Sequence, residues 1–422
     1  MSTSTLPPAS SPSPLAGAVE QPTFGENVQG YLSKIRGGDM GTLPAILAFL
    51  ILSAVFVVLK PGTFTSFLNI ANLFQQGAVV ATIGMGLVFV LLLGEIDLSA
   101  GFASGVCGAV LAVTLTNKQW PLVAALPAAL LTGVGIGLIL GLLVAKVGIP
   151  SFIATLAAFL AFQGVVLLII GNGGNISITN KAVLAIENQN IVPWLGWVIA
   201  VAALAVYVGL SLRRWRMRRS NGLLVLPLAS LAIRLGAVVL LVLALTFVLN
   251  QERSLNPSRT SISGIPIVIP IIVVLALGLT FLLDGTAFGR HVYAVGGNAE
   301  ATRRAGINVA RVRVTCFVIC STLAAFAGIF GASRATSVDP NAGGSNVLLY
   351  AVGAAVIGGT SLFGGKGRVV DALIGAAVIA VIDNGMGLLG YSAGVKYVVT
   401  GAVLVLAAGV DALSRGRLRG AR

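Results

Sequence analysis

The chain has 422 residues, of which 57% are hydrophobic and 9% are charged. Soluble domains carry about 25% charged residues, so a soluble fold of this composition could not cover its own surface. The composition therefore indicates an integral membrane protein and excludes the soluble enzyme classes. The net charge of +14 does not indicate a nucleic-acid partner, because the basic residues stand in short loops between apolar runs, as the positive-inside rule describes.

The first 42 residues differ from the rest in being rich in Ser, Thr and Pro, with a dense run from Pro7 to Pro14. Such a composition buries too little apolar surface to fold alone. We predict a disordered cytoplasmic tail over residues 1–42. A transmembrane domain over 43–412 and a basic cytoplasmic tail over 413–422 complete the predicted organisation.

Twelve apolar runs follow the tail, each close to the roughly 20 residues that cross a bilayer as a helix. They predict an all-α, polytopic membrane protein. The predicted spans are 43–59, 75–94, 99–116, 121–145, 150–171, 193–211, 229–249, 264–283, 310–333, 346–363, 369–390 and 395–412. Around residues 95–98 and 364–368 the sequence leaves open whether the chain turns between two helices or forms one broken helix.

Basic residues set the orientation of these spans, and the densest group runs from Arg213 to Arg219. Since Lys and Arg mark cytoplasmic loops, their distribution predicts that both termini are cytoplasmic. The longest segment on the outer side, 172–192, is polar and rich in turn residues. It is either a surface for an external partner or an ordinary solvated loop.

The cytoplasmic loop 284–313 contains a short helix with caps of its own. Asn298 suits the N-cap, Glu300 falls in the first turn, Arg303 falls in the last turn, and Gly306 is placed to end the helix. So much ordering chemistry between two spans indicates that something docks there. The alternative is an interfacial helix anchored to lipid headgroups.

The two halves of the chain share a break in which Gly and polar residues interrupt apolar sequence, at 93–101 and at 358–367. Such paired breaks are typical of a pathway built from duplicated halves. The first break holds Glu95 and Asp97, and a carboxylate inside the bilayer costs about 2.5–3.5 kcal/mol. They lie beside the translocation pathway or in a cytoplasmic turn where Asp97 caps the next helix. A proton relay is a third interpretation, but no basic partner is identifiable.

Other polar residues interrupt the apolar runs and are candidates for hydrogen bonding to a substrate in transit. With the two carboxylates above, the predicted pathway residues are Gln75, Gln76, Glu95, Asp97, Ser99, Asp383 and Asn384. Hydrogen bonds between helices, worth about 0.6 kcal/mol each, are the structural alternative. The glycines at 133, 135, 137 and 141 have the spacing of close helix packing. The three cysteines lie in apolar segments and the chain has one histidine, so no metal site is expected.

Three motifs in order resemble the sugar permeases of ATP-binding-cassette importers, in the ribose/xylose branch. The segment Gly297–Ile307 resembles their coupling loop. Asn69–Leu73, Gly84–Gly86 and Gly94–Ser99 agree in the first half of the chain, and Ile357–Gly367 agrees in the second. The resemblance covers residues 60 to 412.

The resemblance implies the transmembrane permease subunit of an ATP-driven sugar importer in a bacterial inner membrane, working by alternating access. It implies a cytoplasmic ATPase that docks on loop 289–308, at Gly296, Gly297, Asn298, Glu300, Ala301, Arg303 and Gly306. It further implies a second, identical permease subunit and an extracytoplasmic sugar-binding protein. The chain itself would be no enzyme, with no catalytic residue and no cofactor, since the partner ATPase binds the ATP.

The spans 193–211 and 229–249 are additional to the shorter ribose-type layout, which makes the chain similar to the xylose-type or multiple-sugar subgroup. We therefore expect xylose or a related aldose as the substrate. The alternative is an ion-gradient-driven secondary sugar transporter that uses Glu95 and Asp97 for the coupling ion. A channel is a third class, but the sequence has no clear filter segment.

Overall fold

A computed structural model describes residues 25, 26, 29, 41–171, 174–223, 225–254, 256–258 and 261–420. The tail predicted over residues 1–42 lies almost entirely outside the described residues, as do the last two residues of the basic tail. The described part of the chain divides into two compact units. One unit contains Trp197–Leu245, and the other contains the residues between 41 and 196 and those from Thr246 onward.

The twelve predicted spans all form helices, which confirms the all-α, polytopic class. Their bounds are α1 Leu43–Leu59, α2 Phe67–Leu92, α3 Ala100–Ala112, α4 Leu122–Leu142, α5 Ser151–Ile170, α7 Pro193–Ser220, α8 Leu228–Asn250, α9 Val268–Gly285, α12 Val309–Ala335, α13 Ser345–Gly358, α14 Val369–Leu388 and α15 Ala393–Gly420. Helices α3 and α4 end in π-helical turns at Val113–Asn117 and Leu143–Val147. Within the described residues, nine helices are long and apolar enough to cross a membrane, and α1, α13 and α15 have shorter apolar stretches.

Shorter elements lie in the loops between these helices. They are α6 Lys181–Asn188, α10 Ala287–Gly297, α11 Ala299–Arg304, β1 Ile176–Ser177, β2 Asn190–Ile191, β3 Ile265–Pro266 and β4 Ser337–Val338. Strand β1 pairs antiparallel with β4, and β2 pairs antiparallel with β3. These two ladders bracket α6, so the outer segment predicted as a polar loop contains a helix held at both ends.

Several helix ends differ from the sequence prediction; α7, for example, continues to Ser220 rather than ending at residue 211. Helix α2 begins at Phe67 rather than at residue 75, because the Ser66 side chain accepts a hydrogen bond from Asn69 N and caps it. Helix α13 stops at Gly358 because Gly359 takes a left-handed conformation with φ of +115°. The backbone of α15 stays helical to Gly420, beyond the predicted end at residue 412.

The core of the larger unit gathers around α2, α3, α12 and α14, whose apolar faces are mostly buried. Helix α4 packs on the backbone of α12 through three glycines spaced four apart. A Cβ at Gly133, Gly137 or Gly141 would lie within 2.7 Å of an α12 backbone atom. Gly135 faces open space. The predicted close packing is therefore confirmed for three of the four glycines.

Candidate functional site

Three segments that the sequence singled out separately meet at one place. They are the turn after α2, the end of α10 and the loop after α13. Gly365 N donates to Leu92 O at 2.9 Å, and a Cβ at Gly364 would lie 2.9 Å from Gly94 N and 3.0 Å from Gly296 O. We call these five residues, Leu92, Gly94, Gly296, Gly364 and Gly365, the glycine junction. The absence of side chains lets three backbones touch directly.

Gly296 is the most tightly enclosed residue of the junction. A Cβ there would overlap the carbonyl oxygen of Leu92 and would lie 2.8 Å from Gly365 N. Its neighbour Gly297 has nothing within 4 Å of the same position. The helix α10 therefore presents one glycine to the junction and the next to open space.

The coupling segment predicted at 289–308 folds as two consecutive helices, α10 and α11. Asn298 Oδ1 accepts from Ala301 N at 2.9 Å and caps α11, as predicted. Gly306 has φ of +83°, the left-handed conformation expected after the helix end. The helix α10 was not predicted. Its signal was Thr286, whose Oγ1 accepts from Gly289 N at 3.3 Å and caps the helix.

The two helices differ in how firmly the protein holds them. Val292 and Val295 of α10 are buried, and the Tyr293 hydroxyl donates to Gly367 O at 2.8 Å. By contrast, α11 presents Glu300 with more than half of its side chain exposed. Its ion pairs, with Arg303 at 2.7 Å and Arg304 at 3.3 Å, lie within the helix. Exposed pairs of this kind contribute little to stability, so these charges remain accessible to a partner.

The segment between α2 and α3 is a turn, since α2 ends at Leu92 and α3 begins at Ala100. Asp97 Oδ1 accepts from Ser99 N at 2.8 Å and from Ser99 Oγ at 2.6 Å. Asp97 is fully buried, and its second oxygen has no hydrogen-bond partner among the described residues. Burial raises the pKa of Asp97, and the bonds from Ser99 oppose this shift.

Glu95 has a basic partner that the sequence did not reveal. Its Oε1 lies 3.1 Å from Nη2 of Arg313, near the start of α12. Both side chains are largely shielded from solvent. The pair links the turn after α2 to α12, and its two members are too far apart in sequence for spacing to predict it.

The predicted pathway residues on α14 make contacts between helices. Asn384 and Asn69 exchange two amide hydrogen bonds, at 3.0 and 2.9 Å, in a buried site between α14 and α2. Asp383 pairs with Lys396 at 3.2 Å. Both contacts join two helices, as expected from the alternative in which these polar residues hold helices together.

A second polar cluster surrounds α6 and the first half of α2. Gln75 Nε2 donates to the backbone oxygen of Glu187, and Glu187 N donates to Ser333 Oγ at 3.1 Å. The Glu187 carboxylate is buried, and neither oxygen has a partner among the described residues. Burial raises the pKa of Glu187 to about 8, although the charge of Arg334 opposes the shift. Glu187 was not predicted as a site residue, because it lies in an outer loop rather than in a span.

The predicted pathway residues therefore fall into two groups. Glu95, Asp97 and Ser99 lie after the end of α2, beside the glycine junction. Gln75 and Gln76 lie in its first half, and Asp383 and Asn384 belong to the same group because Asn384 pairs with Asn69 in the first turn of α2. At 1.5 Å per residue the two groups are about 25–30 Å apart along the helix, so they do not form one site.

A family model described as the permease component of branched-chain amino acid transport systems matches residues 69–408. The chain belongs to this permease family. It is accordingly a multi-pass membrane protein, and the family resemblance drawn from the motifs is confirmed.

Similar proteins are named for pentose transport. The chain is 35% identical over 389 residues to the xylose transport system permease protein XylH of Escherichia coli K12, covering 92% of this chain and 96% of the relative. It is 33% identical to XylH of Haemophilus influenzae Rd, covering 91% and 100%. It is 32% identical over 367 residues to the ribose import permease protein RbsC of Escherichia coli K12, covering 87% and 92%. No solved structure matches the chain.

Proposed function

We propose that this permease is the membrane-spanning subunit of an ATP-driven sugar importer, and that a separate ATPase docks on the coupling segment 289–308. The glycine junction is the main observation that supports this proposal. It joins a segment with an exposed, charged end to the ends of α2 and α13 by backbone contact. A force applied to α11 would reach the membrane helices without passing through flexible side chains.

The mechanism that follows is a mechanical one. Closely packed backbone cannot be compressed, so α10, the turn after α2 and the loop after α13 move together. ATP-driven closure of the ATPase would push this body and reorient the spans, giving alternating access. The residues that would meet the ATPase are those predicted from the sequence between Gly297 and Gly306, whereas the predicted residue Gly296 lies enclosed in the glycine junction and would transmit the motion instead. The chain contributes no catalytic group, because the ATPase binds and hydrolyses the ATP.

The expected substrate is xylose or a related aldose. The relatives named for xylose and ribose support a sugar, whereas the family description alone names branched-chain amino acids. Buried polar groups without partners among the described residues, such as Gln76 Oε1, suit a ligand rich in hydroxyl groups. The pathway would also involve Gln75 and Asn384.

The assembly would include a second copy of this chain, which completes the pathway, and an extracytoplasmic sugar-binding protein that delivers the substrate. The loop pattern of basic residues supports cytoplasmic termini, and the relatives from Escherichia coli and Haemophilus influenzae support a bacterial inner membrane location. Two observations argue against an ion-gradient-driven transporter. Glu95 forms an ion pair with Arg313, so its carboxylate is not free to bind a coupling ion, and the family is described as a component of transport systems.

Co-purification tests the docking assignment. We expect the tagged chain, extracted from native membranes in mild detergent, to retain a stoichiometric ATPase. Glu300→Lys places a third positive charge beside Arg303 and Arg304 on an exposed face, so this variant should lose the ATPase and ATP-driven uptake while still inserting into the membrane. The control is Lys118→Glu, a charge reversal at an exposed site after α3.

Retention of the ATPase and of uptake by Glu300→Lys would contradict the docking assignment. If the chain alone moves sugar in liposomes under a sodium or proton gradient, the importer assignment itself is wrong.

A further inference from the structure

The stretch between Glu187 and Glu252 contains no carboxylate side chain. It contains six arginines, Arg213, Arg214, Arg216, Arg218, Arg219 and Arg234. Five of these lie in the last turns of α7, and α8 supplies the sixth. Arginine stays protonated at any physiological pH, so the stretch 188–251 carries a fixed positive charge that no carboxylate within it neutralises.

Three of the six arginines line one cavity of about 480 Å³ within the unit that contains Trp197–Leu245. Arg214 and Arg218 reach it from α7, and Arg234 reaches it from α8. Tyr207 and Ser211 add hydroxyl groups to the wall. Leu231 and Leu235 provide an apolar side.

The wall of the cavity is ordered by specific contacts. Trp215 Nε1 donates to Leu226 O at 2.8 Å, which ties α7 to the connection that precedes α8. The Arg219 guanidinium lies over the Trp215 ring, 5.1 Å from its centroid, in a cation–π arrangement. These contacts fix the indole beside the cavity and hold the two helix ends together.

The arginines of the cavity have no counter-ion among the residues that the structure describes. None of the six forms an ion pair with any residue in the part of the chain that the structure describes. Three like charges around one cavity repel each other, and the repulsion is relieved when an anion lies between them. Arginine guanidinium groups bind phosphate oxygens in a bidentate manner, which suits this arrangement.

The position of the cavity on the helices selects the kind of anion. The arginines begin where the apolar part of α7 ends, and Arg234 lies about 9 Å along α8 from its start. That depth corresponds to the boundary between headgroups and acyl chains. Trp and Tyr side chains are typical of the same boundary. A ligand here must therefore be anionic on one side and apolar on the other.

We propose that this cavity binds the phosphodiester headgroup of an anionic phospholipid. Arg214, Arg218 and Arg234 hold the phosphate, and the first carbons of an acyl chain lie against Leu231 and Leu235. The Tyr207 and Ser211 hydroxyls donate to the glycerol or phosphate oxygens. The bound lipid offsets part of this positive charge and anchors the α7–α8 pair at the membrane surface. The proposal goes beyond transport and requires no particular substrate.

Native mass spectrometry of the full chain in mild detergent tests this proposal by measuring how tightly lipids bind. The probe is dioleoyl phosphatidylglycerol, compared with dioleoyl phosphatidylcholine and with inorganic phosphate. We expect the double variant Arg214→Gln/Arg218→Gln to lose about tenfold or more in phosphatidylglycerol affinity, because two charge-assisted contacts are removed. The matched control Arg213→Gln/Arg216→Gln removes the same charge from the same helix but leaves the cavity lining intact.

Each other outcome would overturn the proposal. An equal loss in both double variants would indicate only a diffuse basic belt. Equal affinity for phosphatidylcholine would exclude a site selective for anionic lipid, and inorganic phosphate binding as tightly as the lipid would indicate a free phosphate site. If Arg214→Gln/Arg218→Gln does not purify as a folded protein, the single variant Arg234→Gln tests the same cavity from α8.

Discussion

Replacing Gly296 with alanine should separate the coupling segment from the membrane helices. The added methyl would lie 2.8 Å from Gly365 N and 3.0 Å from the carbonyl carbon of Leu92, and it would overlap the Leu92 oxygen. Packed heavy atoms normally stay about 3.5 Å or more apart, so the overlap with the Leu92 oxygen requires α10 to retreat by well over an ångström. The Leu92 oxygen and Gly365 N are hydrogen-bonded to each other at 2.9 Å, so the methyl meets both at once and α10 must move away from both segments together.

Overpacking of this kind costs about 1–3 kcal/mol. Alanine also improves helix propensity by up to about 1 kcal/mol, which partly hides the cost. Gly297→Ala carries the same gain without a clash, since its Cβ position is open. The difference between the two variants therefore isolates the junction. We expect the Tm of Gly296→Ala to lie several degrees below that of Gly297→Ala, at about 2 °C per kcal/mol.

The assays are thermal unfolding of the purified chain and ATP-driven sugar uptake in proteoliposomes with the partner ATPase. Gly296→Ala should keep the ATPase bound, because the exposed face of α11 is unchanged, yet uptake should fall. Gly297→Ala should transport normally. Equal Tm values and equal uptake for the two variants would refute the idea that backbone contact at Gly296 transmits the motion.

Three further predictions follow from the packing and the buried charges. Burial raises the pKa of Glu187 to about 8, so the folded chain holds this proton to higher pH than the unfolded chain, and stability should fall as pH rises from about 4.5 toward 8. Glu187→Gln should flatten that fall, by up to about 1.4 kcal/mol per pH unit in thermal unfolding; parallel pH profiles would contradict it. Gly137→Ala should destabilise the α4–α12 contact by about 1–3 kcal/mol while Gly135→Ala should not, and similar Tm values would argue against the close packing. Asn69→Ala and Asn384→Ala should be non-additive in thermal unfolding, with a coupling near 0.6 kcal/mol or more, since each leaves the other amide unpaired; strict additivity would count against the pair.

Much of the fold was predictable because a bilayer permits few structures. Backbone polar groups must be satisfied within each segment, so long apolar runs become helices, and all twelve predicted spans do so. The helix α11 was predictable for a different reason. Its N-cap, its charged residues and its terminal glycine are close together in sequence, so Asn298 and Gly306 mark its two ends within nine residues.

The contacts that join distant segments were not predictable from this sequence. Gly296 is visible as a glycine, but nothing near it indicates that Leu92 and Gly365 fill the space where a side chain would stand. The pairing of Glu95 with Arg313 is of the same kind. In each case the information lies in the packing of helices, and local spacing carries none of it.

The burial of every cysteine has a practical consequence for spectroscopy. The chain has three cysteines, and Cys107, Cys316 and Cys320 are all buried within helices. A thiol-reactive dye should therefore leave the folded native chain unlabelled. The wild type can then serve as the unlabelled background without removal of its cysteines. A single cysteine introduced at the open position of Gly297 would then carry the only fluorophore, and its signal would report in real time how the coupling segment moves during turnover.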